Sequence, residues 1–520
     1  MQDSRPCTGL RVRSTDVPTN CEHITMADVL FITQDSAYPQ MGVLYLIDAL
    51  RKAGIQSAMV ASGISRDMLA TVIDQLKPRV IGMSVMTAPE VADFERHSLF
   101  IKANYPHISV VWGGVHATLL SDVCASMPYI DHVFVGQGED VFPRMVMDLA
   151  DGIRTPGRIV NGYSPVDIDA YEPAWDVDDI SRYLFSERHS VRSPDMRIRD
   201  QLSSSFEQVQ RMLRERQIRP SELSPETRLT IEQMERWDVG LYETDHRLFY
   251  YLLTSRGCPY KCTFCSEPLQ IMHGDQNNRF KWNAHSDEWV GRQIATIQAQ
   301  LGKQGLKMDG IGLWDDMFWI GHRRDPRAFA ILDRFRNEGL RYLIEARSDQ
   351  LLRDNAALMR RLGETGCIQV FIGAESAAQE TLDYMKKGTR VADYYKLMEL
   401  AAENQVALRM SFIIGFPHES DKSINETIDM CESIHNGDFG PWVNVSGPKI
   451  FTPYPGTVEY RRAVESGFEA PVTNVEWGGI NRSTEEYLRH FPWLNRTCSA
   501  STLRRLEKHF GKGYKTLRVH

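Results

Sequence analysis

Thr254-Ser255-Arg256-Gly257-Cys258-Pro259-Tyr260-Lys261-Cys262-Thr263-Phe264-Cys265 places three cysteines at C-x3-C-x2-C spacing. The apolar run before it, Phe249-Tyr250-Tyr251-Leu252-Leu253, reads as a strand, and Gly257-Cys258-Pro259 as the turn that leaves it. Three thiolates on one loop hold three corners of an iron–sulfur cluster. Four cysteines would close such a cluster, whereas three leave one iron open to a further ligand. Zinc is the competing metal, but its structural sites take four Cys/His ligands, commonly as two separated pairs, and the chain has no second C-x2-C.

The loop resembles that of the radical S-adenosylmethionine (SAM) superfamily, whose C-x3-C-x-aromatic-C pattern it matches with Phe264 at the aromatic position. The resemblance implies that Cys258, Cys262 and Cys265 ligate a [4Fe-4S] cluster whose fourth iron is chelated by SAM. One-electron reduction then splits SAM into methionine and a 5′-deoxyadenosyl radical. A flavodoxin- or ferredoxin-type reductant is implied as partner.

Upstream, strands and helices alternate. Val29 to Thr33 is apolar, and Val43, Leu44, Ile47 and Leu50 recur at helical spacing up to Gly54. Val80 to Ser84, Ser109 to Trp112 and His132 to Val135 are further strand candidates, each followed by a helical stretch, so the segment reads as a Rossmann-like doubly wound parallel sheet. Ligands of such sheets lie at the carboxyl ends of the strands. The turns there are Ser84-Val85-Met86-Thr87, Gly113-Gly114-Val115-His116-Ala117-Thr118 and Gly136-Gln137-Gly138-Glu139, with Tyr38-Pro39 and Gly42 after the first strand. In this order they resemble the N-terminal cobalamin-binding domain of a large radical SAM subfamily. That likeness implies a cobalamin site at Tyr38, Ser84, Gly113, Gly114, His116, Gly136, Gly138 and Glu139. The D-x-H-x-x-G motif that supplies a lower axial histidine in other cobalamin enzymes is missing, so no axial histidine is expected.

Downstream, Ser286 caps a helix carrying Trp289, Val290, Ile294, Ile297 and Leu301. Strand candidates follow at 310–314, 342–346, 369–372, 407–414 and 443–451. With the strand before the cysteines they make six, matching the partial (β/α)6 TIM barrel of the superfamily, where working residues sit at strand ends. Asp315 and Asp316, Arg347, Glu375 and Ser376, Gly415, and Pro453 to Thr457 fall at those ends. The resemblance implies SAM contacts for them: Asp315 or Asp316 to the ammonium, Arg347 to the carboxylate, Glu375 and Ser376 to ribose or amino acid groups, and Phe264, Ile413 and Ile414 flanking adenine. Taken singly, each is equally a cap, a turn or, for Glu375, an ion-pair partner.

Residues 1–25 carry no periodic pattern and read as a disordered or loosely attached leader. The domains expected are a cobalamin-binding one over 26–150, a Pro- and Gly-punctuated linker over 151–180, a charged helical insertion over 181–247, the barrel over 248–465 and an α-rich tail over 466–520. Helices are expected at about 200–217 and 224–237 of the insertion, whose arginines, among them Arg211 and Arg214, lean towards an anionic group on a small-molecule substrate. The net charge of −8 argues against a general nucleic-acid partner, and no apolar run of membrane-spanning length or secretory pattern appears. A cytoplasmic protein is expected, and a reducing compartment suits the six scattered cysteines outside the loop.

Three functions stay open. The first is hydrogen abstraction from a small molecule or natural product followed by methyl transfer from methylcobalamin. The second is a non-methylating radical outcome such as deoxygenation, cyclisation, epimerisation or oxidation. The third is a non-catalytic cobalamin or redox sensor.

Overall fold

The computed structural model describes residues 11–12, 27–34, 36, 38–153, 157–162, 167–178, 180, 188–192, 242–244, 248–266, 282–321, 325–480 and 491–505. The first sheet has seven strands: β1 (Arg11–Val12), β2 (Val29–Thr33), β3 (Ser57–Ala61), β4 (Val80–Ser84), β5 (Ser109–Gly113), β6 (His132–Val135) and β7 (Ile159–Asn161). Their order is β1-β3-β2-β4-β5-β6-β7, all pairs parallel. β2, β3 and most of β4 are buried, because helices cover both faces, and their apolar runs lack polar alternation for the same reason. The strand order reverses between β2 and β4, which opens a crevice at their carboxyl ends.

Two expectations are corrected here. Arg11–Val12, in the expected leader, pair with Met59 and Val60 of β3, and Ile159–Asn161, in the expected linker, pair with Val133 to Val135 of β6. Open edges of a parallel sheet recruit whatever chain passes them. The linker is also packed: Trp175 is buried, meets the Tyr250 ring edge-on at 5.6 Å and donates to Gln293 Oε1 at 2.8 Å.

A β-ribbon, β8 (Arg188–Arg192) against β9 (Tyr242–Thr244), forms the described ends of the insertion. The helices expected at 200–217 and 224–237 lie outside the described residues.

The second sheet is parallel and six-stranded, in chain order: β10 (Phe249–Leu252), β13 (Gly310–Leu313), β14 (Arg341–Ala346), β15 (Cys367–Glu375), β16 (Ala407–Ile414) and β17 (Val443–Ile450). The two strands skipped in that count, β11 (Ser255–Gly257) and β12 (Trp282–Ala284), pair antiparallel and hold the cysteine loop. Ser286 caps the helix Asp287–Gly302 by accepting from Trp289 N. In the tail, short helices at Asn474–Gly479 and Leu494–Thr497 bury Trp477, Phe491 and Trp493. Among the described residues no helix is long and apolar enough to cross a membrane.

Candidate active site

The cysteine loop is tied down from below by the end of β13. Asp315 accepts from Thr254 N at 2.8 Å, from both hydroxyls of Thr254 and Ser255, and from Ser255 N. Burial pushes its carboxyl up to about 6 despite these bonds. Asp316 accepts from Gly257 N at 2.9 Å, one residue before Cys258. Arg347 reaches in from β14: Nη1 donates to Cys262 Sγ at 3.6 Å, Nε to Asp349 at 2.8 Å and Nη2 to Lys387 O, and the guanidinium lies 3.8 Å from the Tyr260 ring centre. Cys258, Cys262 and Cys265 are free thiols of intermediate exposure, and burial pushes Cys258 up to about 11. Metal binding deprotonates such a thiol outright.

Opposite this loop stand the Rossmann turns, and between them lies a cavity of about 450 Å³. Ser84, Gly113, Gly114, Gly136, Gly138 and Glu139 line one wall; Ser255, Arg256, Gly257, Trp314 and Asp316 line the other. Gly114 has φ +87°, and a Cβ there would meet Val85 backbone atoms at 2.9 Å. Tyr38 packs at the rim, its ring 4.6 Å from Trp314 and 5.0 Å from Tyr251. His116 is corrected: it does not line the cavity. It is fully buried, with Nδ1 3.2 Å from Thr87 Oγ1 and Nε2 3.1 Å from Asn474 Oδ1, so it fastens the C-terminal helix to the first sheet.

A buried chain of polar groups joins the two walls. Glu139 pairs with Arg256 Nη1 at 2.5 Å, the Arg256 guanidinium sits 4.1 Å from the Tyr45 ring centre, Tyr45 OH meets His285 Nε2 at 3.1 Å, and His285 Nδ1 meets Asp169 at 2.9 Å. Burial lowers His285 to about 4, so its ring is neutral and bridges the phenol and the carboxylate. Sequence reading missed Arg256, Tyr45, His285 and Asp169; their separation in sequence leaves no local signal. Among the described residues, Glu139 Oε2 and Arg256 Nη2 are buried without a hydrogen-bond partner. An acceptor and a donor thus wait unpaired at the cavity.

The remaining strand-end residues are used by the protein itself. The Ser376 hydroxyl is already bonded within the protein: it meets Thr427 Oγ1 and accepts from Ala378 N, starting the next helix. Asp315 is likewise consumed by the loop. Glu375, at φ +66°, pairs with Lys387 Nζ at 2.6 Å, and Lys387 lies 5.9 Å from the Phe264 ring centre. Phe264 meets Phe416 edge-on at 5.8 Å, Ile413 is half-buried, and Gly415 donates to Glu419 while its carbonyl accepts from Trp493.

Two family models match this architecture in order: the B12 binding domain over residues 27–146 and the radical SAM superfamily over 252–431. The chain belongs to the radical SAM superfamily, in the branch with an N-terminal B12-binding domain. An uncharacterized methyltransferase of Pyrococcus horikoshii is 25% identical over 431 residues, covering 82% of this chain and 78% of the relative. The anaerobic magnesium-protoporphyrin IX monomethyl ester cyclase of Rubrivivax gelatinosus is 23% identical, covering 80% of this chain and 65% of that protein. Among solved structures, the radical SAM methyltransferase TsrM from Kitasatospora setae, with cobalamin and a [4Fe-4S] cluster bound, shares the fold at TM-score 0.55 and 17% identity, over 86% of this chain and 80% of that one.

The cofactors of this branch are the [4Fe-4S] cluster, SAM and cobalamin, and the residues present suit them. The thiols offer three corners; among the described residues no three Cys, His, Asp or Glu side chains converge on a single-ion site, as a cubane with each thiolate on its own iron does not require. The amide-fringed corrin ring both donates and accepts hydrogen bonds, matching the unpaired Arg256 and Glu139 atoms and the open glycine turns.

Proposed function

We propose that the chain is a cobalamin-dependent methyltransferase that acts on a carbon of a small molecule bearing an anionic group. The observation that carries this reading is the shared cavity. The turns of the B12-binding sheet line one wall of a single cavity, and Ser255, Arg256 and Gly257, which lead directly into the loop of Cys258, Cys262 and Cys265, line the other, as a reaction needing a radical source and a methyl donor around one substrate requires. The cluster with SAM supplies hydrogen abstraction and cobalamin supplies the methyl group. The chain's own part is to hold and shield. Cys258, Cys262 and Cys265 would hold the iron; Asp315 and Asp316 fix the loop backbone; and Arg347 donates to the Cys262 sulfur. Trp314, Tyr251 and Tyr38 form an aromatic cluster beside the cavity. Phe264, Ile413 and Ile414 would flank the adenine of SAM, and the Glu375–Lys387 ion pair lies beside Phe264. A flavodoxin- or ferredoxin-type protein delivers the electron, and the setting is cytoplasmic.

The cyclase relative favours a second reading, in which the same cofactors end in ring formation without methyl transfer. Product mass decides between them, since methylation adds one carbon. Cys262→Ala tests the shared part: the variant should lose its iron and form no 5′-deoxyadenosine, and a variant that still cleaves SAM reductively contradicts the cluster assignment.

A further inference from the structure

The inner face of the half-barrel carries a row of adjacent residues: Glu345 of β14, Phe371 of β15, Arg409 of β16 and Asn444 of β17 stand side by side in register. Their neighbours Ile344, Ile372 and Met410 are fully buried on the outer face against the helices, which fixes the direction of the row. Lys449 stands beside Ile413 towards the carboxyl end of β17. Arg409 is half-buried with its guanidinium 5.9 Å from the Phe371 ring centre, and Lys449 is exposed. Among the described residues, Glu345, Arg409 and Lys449 make no hydrogen bond or ion pair.

The other charges nearby are already engaged. Asp315 and Asp316 hold the loop backbone and Glu375 holds Lys387. Burial, with Asp316 and Asp315 adding to it, pushes Glu345 up to about 7. Arg409, half-buried, and Lys449, open to solvent, are two cations with no hydrogen-bonded or ion-paired carboxylate among the described residues, which leaves surplus positive charge there and favours an anion. Strand β8 of the insertion runs within 8 Å, Cα to Cα, of β15, β16 and β17, so the insertion borders the same three strands.

We infer that Arg409 and Lys449 form the substrate's anchoring subsite and hold a carboxylate or phosphoryl group, with the insertion ribbon beside it. This rests on the methyltransferase reading above, and it places the substrate's anionic end inside the barrel beyond the shared cavity, whose lining does not include these two residues. The test is equilibrium binding of inorganic phosphate, by phosphorus NMR line broadening, and of glutarate, by saturation transfer, to the cluster-reconstituted full chain with SAM present. One or both should bind, and Arg409→Met and Lys449→Met should each weaken binding by about tenfold or more, the loss of one charge-assisted contact. Arg409→Lys should restore part of it, and SAM affinity and iron content should stay unchanged. Preference for phosphate assigns a phosphoryl group, and preference for glutarate a carboxylate. Absence of binding by either probe, equal binding by both variants, or a parallel loss of SAM affinity overturns the subsite. Cleavage of SAM on the same preparation keeps the two claims apart. A chain that cleaves SAM and binds neither anion refutes the subsite alone; one that binds the anions through these residues and cleaves no SAM refutes the radical reading.

Discussion

The Glu139 carboxylate meets Arg256 at 2.5 Å with both side chains largely withdrawn from water, and each keeps one buried atom without a partner among the described residues. Removing one charge of such a pair leaves the other stranded and costs about 3 kcal/mol or more. Glu139→Gln should therefore lower the unfolding midpoint and the cobalt retained after reconstitution together, while iron content holds; thermal unfolding and metal analysis check this. His116 acts at a distance from the cavity. Burial lowers its imidazole from 6.5 to about 4, so the unfolded chain takes up the proton first. The stabilisation is complete above about pH 6.5 and is lost as the pH falls towards 4, by about 3 kcal/mol over that span. Unfolding measured across this range should show a shallower acid limb in His116→Gln; parallel limbs contradict the assignment.

At the scale of elements, strands rich in branched apolar residues were legible. Val29–Thr33, Val80–Ser84, His132–Val135 and Ala407–Ile414 appear as read. Ser57–Ala61 was missed because Ser-Ala-Met-Val-Ala has a single β-branched residue, and only burial on both faces makes it a strand. The edge strands Arg11–Val12 and Ile159–Asn161 owe their form to neighbours, so their own residues carry no signal. The same distinction runs through the site. The cysteine spacing and the glycine turns are local chemistry and read directly. Asp315, Ser376 and His116 are polar groups at strand ends whose partners lie elsewhere in the chain, and a sequence cannot say whether a ligand or the protein's own backbone satisfies them. The linker illustrates what packing adds: Trp175 fills a buried site between the domains, and Trp175→Ala should cost about 3–5 kcal/mol and loosen the first sheet from the barrel. Limited proteolysis should then cut the linker faster, and unchanged cleavage and stability contradict its structural role.

On the scale of the whole molecule, two parallel sheets with different jobs turn their carboxyl ends towards one space, and the chain Glu139-Arg256-Tyr45-His285-Asp169 clamps them there. The covalent order of the domains thereby becomes a spatial order, methyl donor opposite radical source. The most direct measurement is an iron, sulfide and cobalt count with a UV–visible spectrum after anaerobic cluster reconstitution with hydroxocobalamin. About four irons per chain with stoichiometric cobalt, and loss of cobalt alone in Glu139→Gln, is the predicted result. Four irons with no cobalt taken up by the unsubstituted chain would contradict methyl transfer from cobalamin across the shared cavity.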